Sequence, residues 1–406
     1  MSSFLYKLIL GVSILLMGLT AGVVAPRLQH SGNSDGQSYL FYARHTADHG
    51  FDGVRELVRW YAKSETHRSH PSPARLTYVF LAALLIKIFG ESYQVLVGIS
   101  AVSYLLLGAV CFYYARKLLS RELAACFLFL LSASPLTLGM ACMPLSDSLL
   151  NLLWACSVWA FMDYVNARSA SKMALVVVFV TLSLLAKESS AILLVFMGVF
   201  TVFGSYVKRP LAARDLIVLC GAPVAFVIVT YWIVLGPGDC SLLVDSLYQT
   251  HFVDKANAYA IKYSSGPWFR YFVDLLLLSP VITLMGLGYA GHLILRHSRD
   301  WKKMFFVIYF AVVFIPLSLL QHTKVVRFVI NLEMVLALFC VWALTDLFAV
   351  DIRKGRWVGT AGVIALTAWM SFLSFNRLFI EARLVDPITF HLVHIQGFIP
   401  RDANIY

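Results

Sequence analysis

Long apolar runs recur along the whole chain and are separated by short polar or basic connections. Because a helix needs about 20 mostly apolar residues to cross a bilayer, each run predicts one membrane span. The predicted spans are residues 5–25, 94–115, 123–142, 148–166, 173–186, 190–207, 215–236, 269–295, 304–321, 328–349 and 357–375. The pattern therefore predicts an all-α polytopic membrane protein with about eleven transmembrane helices.

The composition leaves no room for a soluble domain. Of the 406 residues, 60% are hydrophobic and 14% are charged, whereas soluble proteins carry roughly 25% charged residues. The first apolar run, which follows Lys7, is longer than the apolar region of a usual signal peptide, so we expect a retained first helix. Residues 1–406 are therefore predicted to form a single transmembrane domain.

Lysine and arginine cluster in alternate connections between the spans. The clusters are Lys7; Arg116, Lys117 and Arg121; Arg168 and Lys172; Lys208, Arg209 and Arg214; Arg296, Arg299, Lys302 and Lys303; and Arg353, Lys354 and Arg356. Because short basic loops stay in the cytoplasm, the pattern predicts a plasma-membrane protein with a cytoplasmic amino terminus and an extracytoplasmic carboxyl terminus. The net charge of +11 is thus explained by these basic connections, which orient the chain. No nucleic-acid partner is expected.

This orientation requires that the apolar residues 76–90 do not cross the membrane. The segment holds about fifteen residues, a length that suits a re-entrant or interfacial helix. The predicted outer side then contains a first loop at 27–93 with interfacial helices, a second large loop at 237–268 and a short tail at 376–406. Helical spacing in the first loop predicts two buried faces, which are Tyr39, Tyr42 and Ala43, and Val54, Leu57 and Val58.

Acidic and cationic residues gather at the predicted outer ends of the helices. They are Asp35, His70, Asp147, Lys187, Glu188, Asp274, His322, Lys324, Arg327 and Glu333. Ionisable residues at membrane depth are costly, so they indicate either function or a paired structural role. This convergence on one membrane level, from distant parts of the sequence, is the strongest functional signal in the chain.

Several of these residues also have a structural interpretation. Asp35 and Asp147 each lie at a predicted helix start, where an acid caps the helix. Lys187 and Glu188 fit a solvated turn, and His322, Lys324 and Arg327 fit an interfacial cluster. Asp274 and Glu333 fit a pair with Arg270 or Arg327, and His70 fits an ordinary surface histidine.

No cofactor is predicted. None of the seven cysteines forms a CxxC or Cys/His spacing typical of zinc or of a redox pair. The four histidines of the first loop, His45, His49, His67 and His70, have no carboxylate at a compelling spacing. A divalent metal site is therefore not supported by the sequence.

The order of several short motifs resembles a known family. They are Asp35-Gly-Gln-Ser-Tyr-Leu-Phe-Tyr-Ala43, His70-Pro-Ser-Pro73, Leu84-Leu-Ile-Lys-Ile-Phe-Gly90, Tyr114-Ala-Arg-Lys-Leu-Leu119, Ser134-Pro-Leu136, Ser146-Asp147, Ala186-Lys-Glu188 and Arg327-Phe328. Over roughly residues 5–345 the chain resembles the GT-C membrane glycosyltransferases, in particular the branch of dolichyl-phosphate-mannose protein mannosyltransferases and aminoarabinose transferases.

The resemblance implies transfer of a sugar from a polyprenyl-phosphate donor at the outer membrane face. It matches Asp35 to the catalytic aspartate of the first loop and Asp147 to a second acid near the site. It matches Lys187 and Arg327 to positions near the lipid phosphate. Many relatives carry an Asp-Glu pair in the first loop, whereas Gly36 follows Asp35 here, which argues against a two-carboxylate metal site.

The chemistry of these residue types fits such a transfer. Asp35 would take the proton of an acceptor hydroxyl, and Lys187, Lys324 and Arg327 would balance the charge that grows on the leaving phosphate. A single displacement would invert the anomeric centre, and the acceptor could be a lipid, a glycan of the cell envelope or a protein. The competing hypotheses are a transporter or flippase for a lipid-linked or small anionic solute, which would need a polar path across the membrane, and a non-catalytic scaffold.

Overall fold

The computed structural model describes residues 2–28, 34–250, 258–320, 324–346, 358–382 and 386–395. Within these ranges every regular element is helical. The α-helices are α1 (Ser2–Leu19), α2 (Ser34–Ala62), α3 (Glu65–Arg68), α4 (Leu76–Phe89), α5 (Tyr93–Leu118), α6 (Arg121–Ser132), α7 (Pro135–Ala141), α8 (Asp147–Asn166), α9 (Ala170–Ala186), α10 (Ala191–Gly204), α11 (Ala213–Tyr248), α12 (Ala258–Tyr263), α13 (Arg270–Leu278), α14 (Pro280–Leu295), α15 (Trp301–Leu319), α16 (Asn331–Asp346), α17 (Val358–Phe375) and α18 (Pro387–Ile395).

The described helices include six that are long and apolar enough to cross a membrane. The bent pair α6 and α7, whose axes meet at 63°, makes a seventh if it counts as one span. Four shorter apolar helices lie at Leu76–Phe89, Ala170–Ala186, Glu188–Gly204 and Pro280–Leu295. The prediction of an all-α polytopic membrane protein is confirmed, and the number of eleven spans stays a prediction.

Helix α8 lies at the centre of the bundle and α11 lies at its edge. In the most apolar window of α8, 89% of the residues are buried, compared with 17% in α11. Helix α8 packs along α5 on one side and α9 on the other. Large apolar side chains of α11, such as Ile217, Phe226 and Trp232, are exposed, which is the surface expected to face lipid tails.

Charged residues separate between the two ends of α8. At its carboxyl end, Asp163 binds the Lys117 ammonium of α5 at 2.9 Å. At the same end of the bundle, the Arg121 guanidinium lies over the ring of Tyr6 near the start of α1. At its amino end, Asp147 joins the cluster described below. The basic connection that contains Lys117 and Arg121 therefore lies at the opposite end of the central helix from Asp147.

The first loop folds into a helical hairpin on the end that carries the acids. Helix α2 is kinked at Gly50, whose φ of 62° favours glycine. The two predicted faces of α2 are buried, as the spacing predicts. Helix α4 begins after Arg75, which pairs with Glu188, and ends before Glu91, which pairs with Arg44 of α2. Both ends of α4 therefore lie on the same end of the bundle.

Three predicted segments differ from the structure in their boundaries. The span at 269–295 is two helices that break at Ser279, because Pro280 disfavours a helical conformation in the residue before it. The loop at 237–268 is helical up to Tyr248, because α11 continues through a kink at Gly236, where φ is 76°. The tail at 376–406 continues as a helical turn over Asn376–Glu381 and contains α18.

The bend between α6 and α7 is stabilised by a buried acid of α16. Pro135 opens α7, and the Glu333 carboxylate receives hydrogen bonds from the Ser134 hydroxyl and from Thr137. The Thr137 amide lies 2.9 Å from that carboxylate and the Thr137 hydroxyl lies 2.6 Å from it. Glu333 therefore pairs with the start of α7 and not with Arg327, which corrects its predicted structural partner. The amino ends of helices attract negative charge, which explains this placement.

We expect Glu333→Ala to lower the free energy of unfolding by about 2–3 kcal/mol, because it leaves buried donors of α7 unpaired. Glu333→Gln keeps an acceptor oxygen and should lose less. Thermal unfolding in detergent, followed by the reaction of buried cysteines such as Cys126 and Cys340 with a thiol-specific dye, measures the difference. Equal stability of the alanine variant and the parent protein would contradict this role.

Candidate active site

The carboxylate of Asp35 binds Arg327, although 292 residues separate them in the sequence. One carboxylate oxygen accepts a hydrogen bond from Arg327 Nη2 at 2.5 Å. Asp35 lies in the first turn of α2, and Arg327 lies in a short 3-10 turn, Val326–Val329, that precedes α16. The side chains are 24% and 20% exposed, so this pair lies at the opening of the site.

A second and deeper ion pair joins Asp147 to Lys187. The Lys187 ammonium donates a hydrogen bond to Asp147 Oδ1 at 2.8 Å, and both side chains are almost fully buried. The other carboxylate oxygen of Asp147 lies 3.8 Å from Arg327 Nη1. Arg327 therefore faces both acids, and the two ion pairs form one cluster. The ring of Phe328 lies 4.4 Å from the Lys187 ammonium and closes one side of it.

Arg75 and Tyr39 extend the cluster, and neither was among the residues predicted for the site. Arg75 Nη1 donates to the Tyr39 hydroxyl at 2.5 Å, and its Nε and Nη2 donate to Glu188 at 3.4 and 3.2 Å. The Tyr39 hydroxyl also bonds the hydroxyl of Ser146, at 2.9 Å. A signal was present, because Arg75 is the first charged residue after the His70-Pro-Ser-Pro73 turn.

Each charged residue of the cluster lies at a helix terminus. Asp147 is the first residue of α8, and its neighbour Ser146 bonds Tyr39 instead of capping the helix. Lys187 has an extended backbone between the end of α9 and a 3-10 turn at Glu188–Ser190. The breaks between helices therefore project these side chains towards one another at one end of the bundle.

The cluster is balanced in charge. Its members are Asp35, Asp147 and Glu188, and Arg75, Lys187 and Arg327. Burial is the largest influence on Lys187 and lowers the pKa of its ammonium, while Asp147 opposes that shift. Burial would also lower the pKa of the Arg327 guanidinium, but Asp35 and Asp147 raise it above its ordinary value. Two acids therefore hold the Arg327 charge in a buried place.

Two predicted site residues lie elsewhere and have structural partners. The Lys324 ammonium donates to the backbone carbonyls of Gly266, Pro267 and Ser318 at 2.8–2.9 Å. These bonds favour a structural role, and its place in the phosphate site stays a prediction. Asp274 is fully buried and lies 3.7 Å from Arg270, one of the structural partners expected for it.

The histidines form no metal centre in the part of the chain that the structure describes. His70 is bound to the Ser38 hydroxyl at 3.1 Å, one helical turn after Asp35, so it lies beside the cluster. His45 pairs with Glu56, and His67 stacks on Trp60. In the described residues, no three histidine, cysteine or acidic side chains are grouped to hold a metal ion. His322 lies outside the described residues.

One family model matches part of the chain. The model of the dolichyl-phosphate-mannose-protein mannosyltransferases matches residues 69–234, a range that contains Arg75, Asp147, Lys187 and Glu188. No curated protein sequence matches the chain.

Solved structures extend the similarity to most of the chain. ArnT from Cupriavidus metallidurans bound to undecaprenyl phosphate has a TM-score of 0.63 and 16% identity, with 89% of this chain and 63% of that chain covered. Two structures from Archaeoglobus fulgidus are similar: the oligosaccharyltransferase in the apo form has a TM-score of 0.62 and 16% identity, and AglB in complex with an inhibitory peptide and a dolichol-phosphate has 0.61 and 14%. Each covers 92% of this chain and 55% of its own.

These findings confirm the resemblance to the GT-C superfamily, and the chain has the GT-C fold. The chain spans 63% of ArnT and 55% of the archaeal enzymes, so their activities are not carried over whole.

The geometry also bears on the competing hypotheses. Asp35 and Asp147 both face Arg327, whereas the scaffold hypothesis predicts that they lie far apart. Their shared cluster lies at one end of α8, which favours an enzyme over a transporter.

We expect Lys187→Met to lower the free energy of unfolding by about 2–4 kcal/mol, because it leaves the buried Asp147 carboxylate without its closest cation. Adding Asp147→Asn to the same chain should recover part of the loss. The matched control is Lys117→Met, which breaks the more exposed pair with Asp163 and should cost less than about 1 kcal/mol. Unfolding in detergent micelles measures all three, and equal small losses for both lysines would contradict the buried pairing.

Proposed function

We propose that the protein is a glycosyltransferase that moves a sugar from a polyprenyl-phosphate donor to an acceptor hydroxyl at the extracytoplasmic membrane face. The observation that carries the proposal is the cluster of Asp35, Asp147, Lys187 and Arg327 at one end of the bundle. The family match and the similarity to a structure with bound undecaprenyl phosphate support a lipid-linked donor.

Lys187 and Arg327 bind the donor phosphate in this proposal. Polyprenyl phosphate is a poor leaving group unless cations balance the charge that develops on it as the sugar departs. Arg327 offers a planar fork of donors that matches phosphate oxygens, and Lys187 offers a point charge beside it. Asp147 holds Lys187 in position at 2.8 Å, which makes Asp147 a positioning residue rather than the base.

Asp35 acts as the general base. It is more exposed than Asp147, so an acceptor hydroxyl that enters from the aqueous side reaches it first. The acceptor oxygen forms a bond to the anomeric carbon as the bond from that carbon to the phosphate oxygen breaks. The acceptor proton passes to Asp35, and the phosphate leaves with the electron pair of the broken bond. This single displacement inverts the anomeric centre.

Arg75 and Tyr39 support the site from the side of the first loop. Arg75 joins the Tyr39 hydroxyl and Glu188, and it thereby ties α2 to the turn that carries Lys187. The acceptor is a lipid, a glycan or a protein hydroxyl. In this proposal the chain lies in the plasma membrane with its amino terminus in the cytoplasm, because its basic connections lie at the end of α8 away from the cluster.

We expect Asp35→Asn to lower the transfer rate by about 10²–10⁴-fold, because the amide cannot accept the acceptor proton. Transfer from a panel of polyprenyl-phosphate sugars, measured with the purified protein in lipid nanodiscs, tests this. The matched control is Asp52→Asn, which removes an arginine-paired carboxylate from the same helix α2 away from the cluster. Full activity of a folded Asp35→Asn protein would exclude Asp35 as the base.

We expect Arg327→Met to lower kcat by about 10²–10³-fold, because a cation aimed at the leaving phosphate is lost. Arg327→Lys keeps the charge but not the planar fork, so it should restore only part of the rate. Single-turnover transfer with saturating donor separates this effect from weaker binding. A loss confined to KM would contradict a role in the departure of the phosphate.

A further inference from the structure

Asp35 and Asp147 do not pair with every hydrogen-bond donor of the Arg327 guanidinium. Its Nη2 donates to Asp35 and its Nη1 faces Asp147. Its buried Nε has no hydrogen-bond partner among the residues that the structure describes. A buried N–H without a partner is costly and rare in native structures. Among the described residues, Nε is therefore an unpaired donor of the Arg327 guanidinium.

The free donor and the Asp35-bound donor lie on the same edge of the guanidinium. Nε and Nη2 form the fork that binds two oxygens of a carboxylate or a phosphate side by side. Asp35 binds Nη2 through one carboxylate oxygen, so it lies beside this fork. A phosphate that binds this fork places a second anion on Nη2 beside Asp35, and the two like charges repel each other there.

The charge balance leads to the same conclusion. The six charged residues of the cluster sum to zero, so a donor phosphate arrives as one excess anion unless a carboxylate moves away. Asp147 is 4% exposed and is held by Lys187, whereas Asp35 is 24% exposed at the opening of the site. Asp35 is therefore the acid that can leave its cation and become solvated.

We propose that the donor phosphate displaces Asp35 from Arg327, so that the base becomes free to accept a proton only after the donor has bound. This inference rests on the proposed function and adds an order of events to it. The acceptor proton then neutralises Asp35, while the phosphate gains the charge of the broken bond. Within one catalytic cycle, Arg327 exchanges its bond to Asp35 for bonds to the leaving phosphate. No further reactant is needed.

The consequence is that Asp35 competes with the lipid phosphate in the resting protein. A ligand binds more weakly when its site must first be vacated, in proportion to the fraction of molecules that are vacant. Removing the competing charge should therefore tighten the binding of a lipid phosphate.

The test uses undecaprenyl phosphate as the probe and the purified full-length protein in lipid nanodiscs. We expect Asp35→Asn to bind it about tenfold more tightly than the parent protein, although the same variant is defective in transfer. Asp52→Asn, which removes an equal charge from α2 at the exposed pair with Arg55, should leave the Kd unchanged. The Arg327→Met background should abolish the gain from Asp35→Asn, because the shared donor is then absent.

The outcomes separate the inference from the proposed function. An unchanged or weaker affinity of Asp35→Asn, in a protein whose binding depends on Lys187 and Arg327, overturns the displacement and leaves the proposed function standing. An equal gain from Asp52→Asn also overturns it, because the effect would then be one of net charge. Binding that does not respond to Lys187→Met or Arg327→Met overturns the proposed phosphate site and the inference together.

Discussion

The candidate site depends on a constraint of charge burial. Asp147 and Lys187 are both almost fully buried, and each charge stabilises the other there. Their bond joins the start of α8 to the end of α9, which are neighbouring helices along the centre of the bundle. Arg327 brings in the 3-10 turn before α16, and Asp35 brings in the first loop. Four separate chain segments meet because these charges need partners.

A second group of buried charges holds the surroundings of this site in place. Arg270 lies between Asp274 and Asp386, and it donates to the Ser265 carbonyl at 2.5 Å. Lys324 binds the carbonyls of Gly266 and Pro267 in the same turn. Lys324 lies three residues before Arg327, so its bonds restrain the segment that carries the guanidinium. The predicted phosphate ligand is therefore part of the frame on which the site rests.

The position of the candidate site follows from the way in which the helices of the GT-C fold end. The helices of such a bundle pack well in their middle, while their ends carry irregular backbone whose polar groups can face a ligand. Here the 3-10 turn of Arg327 and the extended backbone of Lys187 place cations at that boundary. A lipid phosphate that approaches from the bilayer and an acceptor that approaches from water could both reach it. Asp35 is the more exposed of the two acids, and Asp147 is buried.

The sequence by itself determined the class of the molecule and the level at which its chemistry lies. The apolar runs predicted the helices, because the length of a span is a local property of the chain. The helical spacing in the first loop predicted the buried faces of Tyr39 and Val54. The boundaries that depend on one residue, such as the break before Pro280 and the kink at Gly236, were missed where several weak local signals competed.

Only the tertiary structure decided which charged residues meet. The resemblance set Asp147, Lys187 and Arg327 apart from Asp274 and Glu333, but a sequence shows that a charge is buried and not which partner stabilises it. The partner is chosen by helix packing over separations of up to 292 residues. Arg75 and Tyr39 entered the site in the same way. The acids and cations at the predicted outer ends thus separate into the candidate site and a structural frame.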